Sequence, residues 1–265
     1  MRIRIIFQLK NKGAFVPFHH QYLLAQLLKG ILMRGGESNY ADYKWFNFSG
    51  LKGQTKVSRN GLHFYSNKVT LVISSFEKPF IDYLLRQLFK LSQVEVGSLF
   101  LEPEYVEVEN MPTFEESMKY ICISPLVLLE PSFSDDQGKR FISPEAETFS
   151  DSLYETTLQR MGMIGKYGEE QLKDFFKFQV VPDGKYLHKI KISQKKFARI
   201  YPMFDQDVKF EVRGYTLPFT LYAASEVQEF LFITGMGRLC HKGFGMIDTT
   251  MNDPGKENVR YEIPS

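Results

Sequence analysis

The sequence predicts an α+β protein in which the element order strand, helix, strand, strand, helix, strand occurs twice. Three observations support this prediction. Several stretches alternate apolar and polar residues, other stretches carry apolar residues three or four positions apart, and the same order of patterns recurs in the second half of the chain. The 265 residues therefore divide into two predicted domains, 1–112 and 113–265.

The first half begins with a predicted strand, 2–9, in which Ile3 and Ile5 lie on the same face. A helix is predicted at 21–33, because apolar residues recur there at i, i+4 and i+8 and a glycine pair follows. The remaining predicted elements of this half are a short helix at 40–45, strands at 46–58 and 61–74 with an Asn-Gly turn between them, a helix at 79–92 that begins at a proline, and a strand or strand pair at 94–108.

The second half repeats this order. A strand is predicted at 119–129, and a helix at 143–162 with Ser143 as its N-cap. The later predicted elements are a hairpin of strands 175–181 and 187–193 across Pro182-Asp183-Gly184, a strand or strand pair at 208–221, a helix at 225–233 and a strand at 243–249. Together the two halves predict two tandem ferredoxin-like (RRM-like) βαββαβ domains.

The composition restricts the class of protein. Hydrophobic residues make up 43% and charged residues 24%, which is typical of a globular protein. No apolar run reaches the roughly 20 residues that a membrane helix needs, and the first residues lack the pattern of a signal peptide, so we expect a cytoplasmic protein with no membrane partner. Cys122 and Cys240 are too few for a zinc knuckle or a disulfide framework, and we expect both to be buried. No cofactor is predicted.

Charge is segregated along the chain, although the net charge is only +2. Residues 102–116 carry six glutamates and no Lys or Arg, which is typical of a solvated strand face. Residues 185–199 carry five lysines, one arginine and no acid. That stretch is either a second solvated face or a surface for RNA phosphates, because aromatic residues lie among its cations. Lys189 and Lys191 are the candidate RNA contacts.

The stretch ITGMGRLCHKGFGMID, 233–248, contains glycines in the pattern G-x-G-x5-G-x-G. It follows a predicted helix and precedes a predicted strand, the reverse of a dinucleotide-binding fingerprint. A tight turn is expected to require one or two glycines, whereas four favour a backbone that approaches a phosphate closely. The predicted phosphate-binding residues are Gly235, Gly237, Arg238, Lys242, Gly243 and Gly245.

A glycine-rich loop near the end of tandem ferredoxin-like domains resembles that of the repeat-associated mysterious protein superfamily of CRISPR systems. The segments 16–32, 123–131 and 141–158 further resemble the CRISPR-associated endoribonucleases that cut precursor guide RNA within its repeats. The resemblance implies metal-independent cleavage, in which a ribose 2′-hydroxyl attacks its own 3′ phosphate and leaves a 2′,3′-cyclic phosphate. It also implies CRISPR repeat RNA as a partner, with effector-complex subunits and a second copy of the chain as further partners.

The family often carries a catalytic histidine after the first helix, but residues 38–50 contain none. Ionisable groups near that place are Tyr43 and Lys44, and Lys29 falls where some relatives carry a catalytic tyrosine. His19 and His20 precede the helix, and for His20 a structural role and a catalytic role both stay open. The candidate catalytic residues are therefore Lys29, Tyr43, Lys44, His19 and His20.

Three functions remain open from the sequence. The first is an active endoribonuclease of CRISPR repeats. The second is a catalytically silent repeat-RNA-binding homologue or structural subunit of an effector complex, suggested by the missing histidine. The third is an RNA-binding protein outside CRISPR biology.

No metal site is predicted, because the nearest carboxylate clusters, Asp135-Asp136 and Asp205-x-Asp207, are interpreted as polar loops.

Overall fold

A computed structural model describes residues 1–36, 40–130, 141–205, 208–250 and 258–264. Asp135, Asp136 and Asp207 lie outside these ranges. The chain forms two compact units, each with its own sheet. Unit 1 comprises Met1–Met111, His241–Gly243 and Pro254–Ser265, and unit 2 comprises Pro112–Cys240 and Phe244–Asp253.

The first part of the chain supplies most of unit 1. Its elements are β1 (Arg2–Leu9), β2 (Phe15–Val16), α1 (Gln21–Arg34), β3 (Phe46–Phe48), β4 (Thr55–Val57), β5 (Leu62–Phe64), β6 (Lys68–Ser75), α2 (Lys78–Leu88), β7 (Val94–Val96) and β8 (Leu99–Val108).

The rest of the chain supplies unit 2 and one strand that returns to unit 1. Its elements are β9 (Ser117–Cys122), α3 (Phe149–Ile164), α4 (Glu169–Asp174), β10 (Phe178–Pro182), α5 (Gly184–Ile192), β11 (Arg199–Asp205), β12 (Val208–Gly214), β13 (Pro218–Ala223), α6 (Ser225–Thr234), β14 (Ile247–Thr249) and β15 (Val259–Arg260).

The main sheet of unit 1 is antiparallel, with the strand order β15-β8-β1-β6-β3 and β7 paired to β8. Within this sheet, β8-β1-β6-β3 follow the strand order 4-1-3-2 of a ferredoxin-like fold. Ile3 and Ile5 of β1 are fully buried, as their alternation predicts, in a core shared with Leu24 of α1 and Phe80 of α2. A separate three-stranded sheet, β2-β5-β4, lies within the same unit.

The sheet of unit 2 has the order β10-β13-β9-β14, which is the same 4-1-3-2 arrangement read from its other edge. Tyr120 of β9 and Leu221 of β13 are fully buried in it. Helix α5 and the β11–β12 hairpin are an insertion between its second and third strands. The prediction of tandem ferredoxin-like domains is therefore confirmed.

The predicted strand at 187–193 is wrong, because this stretch lies in helix α5. The Asp183 side chain accepts a 2.8 Å hydrogen bond from the backbone N–H of Tyr186 and so caps a helix where a hairpin turn was expected. The strand β11, which contains Pro202, was not predicted. A proline is tolerated there because β11 belongs to an isolated two-stranded hairpin.

Several boundaries also differ from the prediction. Helix α3 begins at Phe149 rather than near Ser143, and the stretch after Tyr40 forms no helix of its own. The predicted second domain ran to residue 265, whereas β15 pairs with β8 of unit 1. Both cysteines are buried and unpaired, as expected. None of the helices in the described ranges is long and apolar enough to cross a membrane.

Candidate functional site

The four glycines of the glycine-rich loop all adopt backbone angles that other residues avoid. A Cβ atom on Gly237 would lie 2.4 Å from the carbonyl oxygen of Val127, and one on Gly245 would lie 1.9 Å from that of Met236. The expectation that a turn needs only one or two of these glycines is therefore wrong. The positive φ angles are 83° at Gly235, 81° at Gly237, 84° at Gly243 and 72° at Gly245.

Several backbone N–H groups of the loop donate within unit 2. The N–H of Arg238 donates to Val127 at 2.8 Å, and that of Gly245 donates to Pro125 at 2.7 Å. The N–H of Met236 donates to the carbonyl of Gly245 at 2.8 Å. These three donors are already used, so the loop offers charge through its side chains rather than through these amides.

Arg160 of helix α3 fixes the start of the loop. Its guanidinium donates to the carbonyl oxygens of Thr234 at 2.8 Å and Gly235 at 2.6 Å. It also lies 5.3 Å from the ring centroid of Phe230. An arginine thus satisfies the carbonyl groups that helix α6 leaves open at its end. Sequence reasoning missed Arg160, because nothing in the local pattern of α3 indicates a contact 75 residues away.

The cationic side chains of the loop are less buried than its glycines. Arg238 is half-buried and donates to Oε1 of Gln159 at 3.2 Å. Lys242 is also half-buried and lies in a 3-10 turn, Cys240–Lys242. Both charges can therefore be reached from solvent in part.

Helix α5 presents the basic stretch at the surface of unit 2. Lys185, His188 and Lys189 are exposed and share one helical face, since they lie at i, i+3 and i+4. The other side of the helix is held by Tyr186, whose hydroxyl donates to the carbonyl of Thr216 at 3.0 Å. The helix is thus anchored by a neutral side chain, and the face with Lys185, His188 and Lys189 is open to solvent.

Lys191 differs from Lys189 in its surroundings. Its ammonium lies 2.9 Å from the Glu145 carboxylate, whereas Lys189 faces outward with no such ion pair among the described salt bridges. Part of the Lys191 charge is therefore compensated within the protein.

His20 holds the start of helix α1 to the segment after β3. It is buried, with Nδ1 3.2 Å from the Pro17 carbonyl oxygen, and its Nε2 accepts a hydrogen bond from the N–H of Leu51 at 3.0 Å. Because a carbonyl only accepts and the amide only donates, the ring is neutral with its proton on Nδ1. Burial lowers the pKa of His20, which favours this neutral form. Its neighbour His19 is half-buried.

Tyr43 belongs to an aromatic cluster in the core of unit 1. Its ring lies 4.5 Å from that of Phe80, and its hydroxyl lies 2.9 Å from Oγ of Ser75. Since Ser75 Oγ donates to the Trp45 carbonyl at 3.0 Å, the Tyr43 hydroxyl is the donor to Ser75. Burial raises the pKa of Tyr43 to about 12, so the phenol is protonated at neutral pH. Lys44, the next residue, is exposed.

The five candidate catalytic residues fall into two groups at opposite ends of helix α1. His19 and His20 lie at its start. Lys29 is exposed and lies nine residues after His20, which is roughly 13 Å along the helix axis. It therefore lies on the face of the helix opposite to His20. The Tyr43 cluster lies at the far end, because the Tyr83 ring, 5.1 Å from that of Tyr40, carries a hydroxyl that donates to Leu32 in the last turn. One small phosphate cannot contact both groups at once.

Within the ranges that the structure describes, no three His, Cys, Asp or Glu residues come together in an arrangement that could hold a metal ion.

Solved structures of similar fold cover nearly the whole chain. A structure titled "Characterization of a Cas6-related gene from Pyrococcus furiosus" has a TM-score of 0.78 at 19% identity, covering 96% of this chain and 99% of the other. One titled "CRISPR associated protein Cas6" has a TM-score of 0.75 at 19% identity, covering 95% and 99%. One titled "An RAMP protein binding different RNA substrates" has a TM-score of 0.78 at 17% identity, covering 95% and 100%. At these identities the likeness shows the fold.

A comparison of sequences gives the family. No curated protein matches the chain. The family model described as "CRISPR associated protein Cas6, C-terminal" matches residues 108–249, a range that covers more than half of the chain and includes the basic helix α5 and the glycine-rich loop. The chain therefore belongs to the Cas6 family of CRISPR-associated proteins.

Proposed function

We propose that the chain is a metal-independent endoribonuclease that binds CRISPR repeat RNA and cleaves precursor CRISPR RNA in the cytoplasm. In the proposed reaction the 2′-hydroxyl attacks the adjacent phosphorus, the 5′ oxygen leaves, and a 2′,3′-cyclic phosphate remains on the upstream fragment. The observation that carries the proposal is the exposed basic face of α5, on an RRM-like unit of a Cas6-family chain.

RNA binding is assigned to two sets of cations in unit 2 and the adjoining loop. Lys189, with Lys191 beside it on α5, supplies charge for phosphate groups, and Arg238 and Lys242 supply charge from the glycine-rich loop. The glycines Gly235, Gly237, Gly243 and Gly245 act by setting the backbone path that carries these two side chains.

The cleavage step needs a group that takes the 2′ proton, a group that protonates the leaving 5′ oxygen, and cations that stabilise the phosphorane. Two alternative places can hold the phosphate. At the start of α1, His19 is the candidate general base, because its neighbour His20 is hydrogen-bonded within unit 1 and serves to position the turn. At the far end of α1, Lys29 and Lys44 are the exposed cations for the phosphorane, and Tyr43, protonated at neutral pH, is the candidate proton donor.

A second function is favoured by the contacts of two of these residues. His20 and Tyr43 both direct their polar atoms to partners inside unit 1, and residues 40–50 of the described chain contain no histidine. This arrangement suits a repeat-RNA-binding homologue, or a structural subunit of an effector complex, that lacks cleavage activity. RNA affinity is expected in both cases, so only the chemical step separates them.

A cleavage assay in EDTA distinguishes the two functions. The substrate is the cognate repeat RNA, with a matched RNA that carries a deoxyribose at the scissile nucleotide. One cut with a cyclic phosphate end, absent from the deoxy substrate, would establish the enzyme. Tight binding without a cut would establish the silent homologue, and absence of binding would contradict both.

Alanine variants then assign the catalytic group. If the start of α1 holds the phosphate, His19→Ala should lower the single-turnover rate about 10²-fold or more, while Lys29→Ala and Lys44→Ala should have little effect. If its far end holds the phosphate, the pattern should reverse. Arg238→Ala combined with Lys242→Ala should instead weaken binding and flatten its salt dependence.

A further inference from the structure

The small sheet β2-β5-β4 of unit 1 packs on the core with one face of β2 and β5, whereas its other face points outward. Its buried face carries Val16 and Phe64, both fully buried in the core of the unit. The strand register pairs Phe15 of β2 with His63 of β5, and His63 with Lys56 of β4. Because directly paired residues share a face, Phe15, His63 and Lys56 form one row across the three strands.

Phe15, His63 and Tyr65 place aromatic rings on this outward face. Phe15 is 36% exposed, and its ring centroid lies 5.4 Å from that of His63. Tyr65, two residues after His63 and therefore on the same side, is 43% exposed. The Lys56 ammonium lies 4.9 Å from the centroid of the Tyr65 ring. The face thus combines exposed rings with a cation in direct contact with one of them.

His63 is fixed by hydrogen bonds at both ring nitrogens. Nδ1 lies 2.7 Å from the carbonyl oxygen of Gly13, and Nε2 lies 3.0 Å from Oγ of Ser58. His63 therefore contributes ring surface next to Phe15, and its two ring nitrogens are already used by these contacts.

The stretch of chain that carries β4 and β5 has charges of one sign. Residues 50–68 include three lysines and one arginine but neither Asp nor Glu. Lys56 and Arg59 are exposed, whereas Lys68 is paired with Glu104 at 3.0 Å. This stretch was not predicted as an RNA surface, and its cations are spaced further apart than those at 185–199.

We propose that the outward face of β2-β5-β4 binds a single-stranded segment of the repeat RNA, with bases stacked on Tyr65 and on the Phe15–His63 pair and phosphates at Lys56 and Arg59. Exposed rings recognise unpaired bases, because bases within a duplex are already stacked. A base that stacks on Tyr65 takes the place of the Lys56 ammonium, whose flexible side chain then reaches the adjoining phosphate. The inference rests on the proposed function for its ligand.

The test measures equilibrium binding of the full chain to repeat RNA with its single-stranded flanks, and to the paired part of the repeat alone. Tyr65→Leu removes the ring, and Tyr65→Phe retains it. Lys56→Gln combined with Arg59→Gln removes the charges. Phe176→Leu and Lys173→Gln are matched controls, since both residues are exposed in unit 2 and have no role in the proposed surfaces.

We expect Tyr65→Leu to weaken binding of the flanked RNA about fivefold or more, and Tyr65→Phe to bind like the parent protein. The double variant should reduce the slope of log affinity against log salt by about 1.4, which corresponds to two phosphate contacts on a single strand. The control variants, and all variants on the paired RNA, should keep the parent affinity.

Two failures are distinguishable. If the parent protein does not bind repeat RNA at all, the proposed function fails as a whole. If the parent binds and Tyr65→Leu, folded with an unchanged melting midpoint, binds the flanked RNA equally well, only this inference is overturned. An equal loss of affinity for the paired RNA would also overturn it, because it would assign the face to a duplex.

Discussion

The guanidinium of Arg160 donates a 2.6 Å hydrogen bond to the carbonyl oxygen of Gly235, joining helix α3 to the end of helix α6. Two further carbonyls of the same turn accept from this side chain, those of Thr234 at 2.8 Å and Gly237 at 3.4 Å. The glycine-rich loop is thus held by a charged donor at its start and by its own amides further along. These contacts define the path of the loop backbone at both places.

Arg160→Met should destabilise unit 2 by about 1–3 kcal/mol, because buried carbonyls lose a charged donor while the apolar part of the side chain is kept. The thermal midpoint should fall by several degrees. Arg238→Met is the control, since that side chain makes one 3.2 Å hydrogen bond to Gln159 and should change stability by less than about 0.5 kcal/mol. Equal melting of the two variants would show that Arg160 does not fix the loop.

Two glycine-to-alanine substitutions should have opposite effects on the free energy of unfolding. Gly245→Ala places a Cβ 1.9 Å from a backbone carbonyl at φ 72°, so we expect a loss of several kcal/mol or a failure to fold. Gly30→Ala lies inside α1 with nothing within 4 Å of the new Cβ, so it should stabilise by about 0.5–1 kcal/mol. Chemical denaturation measures both. A neutral Gly245→Ala would contradict the close approach seen at that position.

Stability should depend on pH through His20. Burial lowers its pKa below the ordinary value of 6.5, against an opposing contribution from the Pro17 carbonyl. Below pH 6.5 the unfolded chain therefore binds a proton that the folded chain excludes, and stability falls as the pH falls, by at most about 1.4 kcal/mol per pH unit from this group.

His20→Asn keeps an acceptor for the Leu51 amide but cannot titrate. Its unfolding midpoint should be lower than that of the parent at pH 8 and should decline less between pH 7 and pH 5. Urea denaturation across this range makes the comparison. Parallel curves for the two proteins would mean that His20 does not contribute to the pH dependence.

The order of elements could be predicted because its signals are local. Alternation places Ile3 and Ile5 on one side of β1, and helical spacing defines α1 and α2, with no knowledge of the rest of the chain. The prediction for the insertion in unit 2 failed because it also relied on local signals. Ile190, Lys191 and Ile192 alternate like a strand, but the Asp183 cap starts a helix before that alternation can act.

For the candidate site, the exposure of its charges could be predicted from the sequence, but the contacts that fix its geometry could not. The lysines of α5 are exposed as a basic stretch suggests, and positive φ explains all four glycines of the loop. The contacts of Arg160 with Gly235 and of His20 with Leu51 join residues far apart in the chain. Only the tertiary fold places such partners together, and no local pattern encodes them.

Lys189 and Lys191 provide a test of the basic helix at matched positions. Both are exposed lysines of α5, but Lys191 is paired with Glu145 at 2.9 Å. Lys189→Ala should therefore weaken repeat-RNA binding and reduce its salt slope by about 0.7–0.9, the value for one phosphate contact, and Lys191→Ala should have a smaller effect. Glu145→Ala should strengthen binding by freeing the Lys191 charge, and should do so only while Lys191 is present. If Lys189→Ala keeps both the parent affinity and the parent salt slope, α5 does not contact RNA, and the basic stretch is only a solvated face.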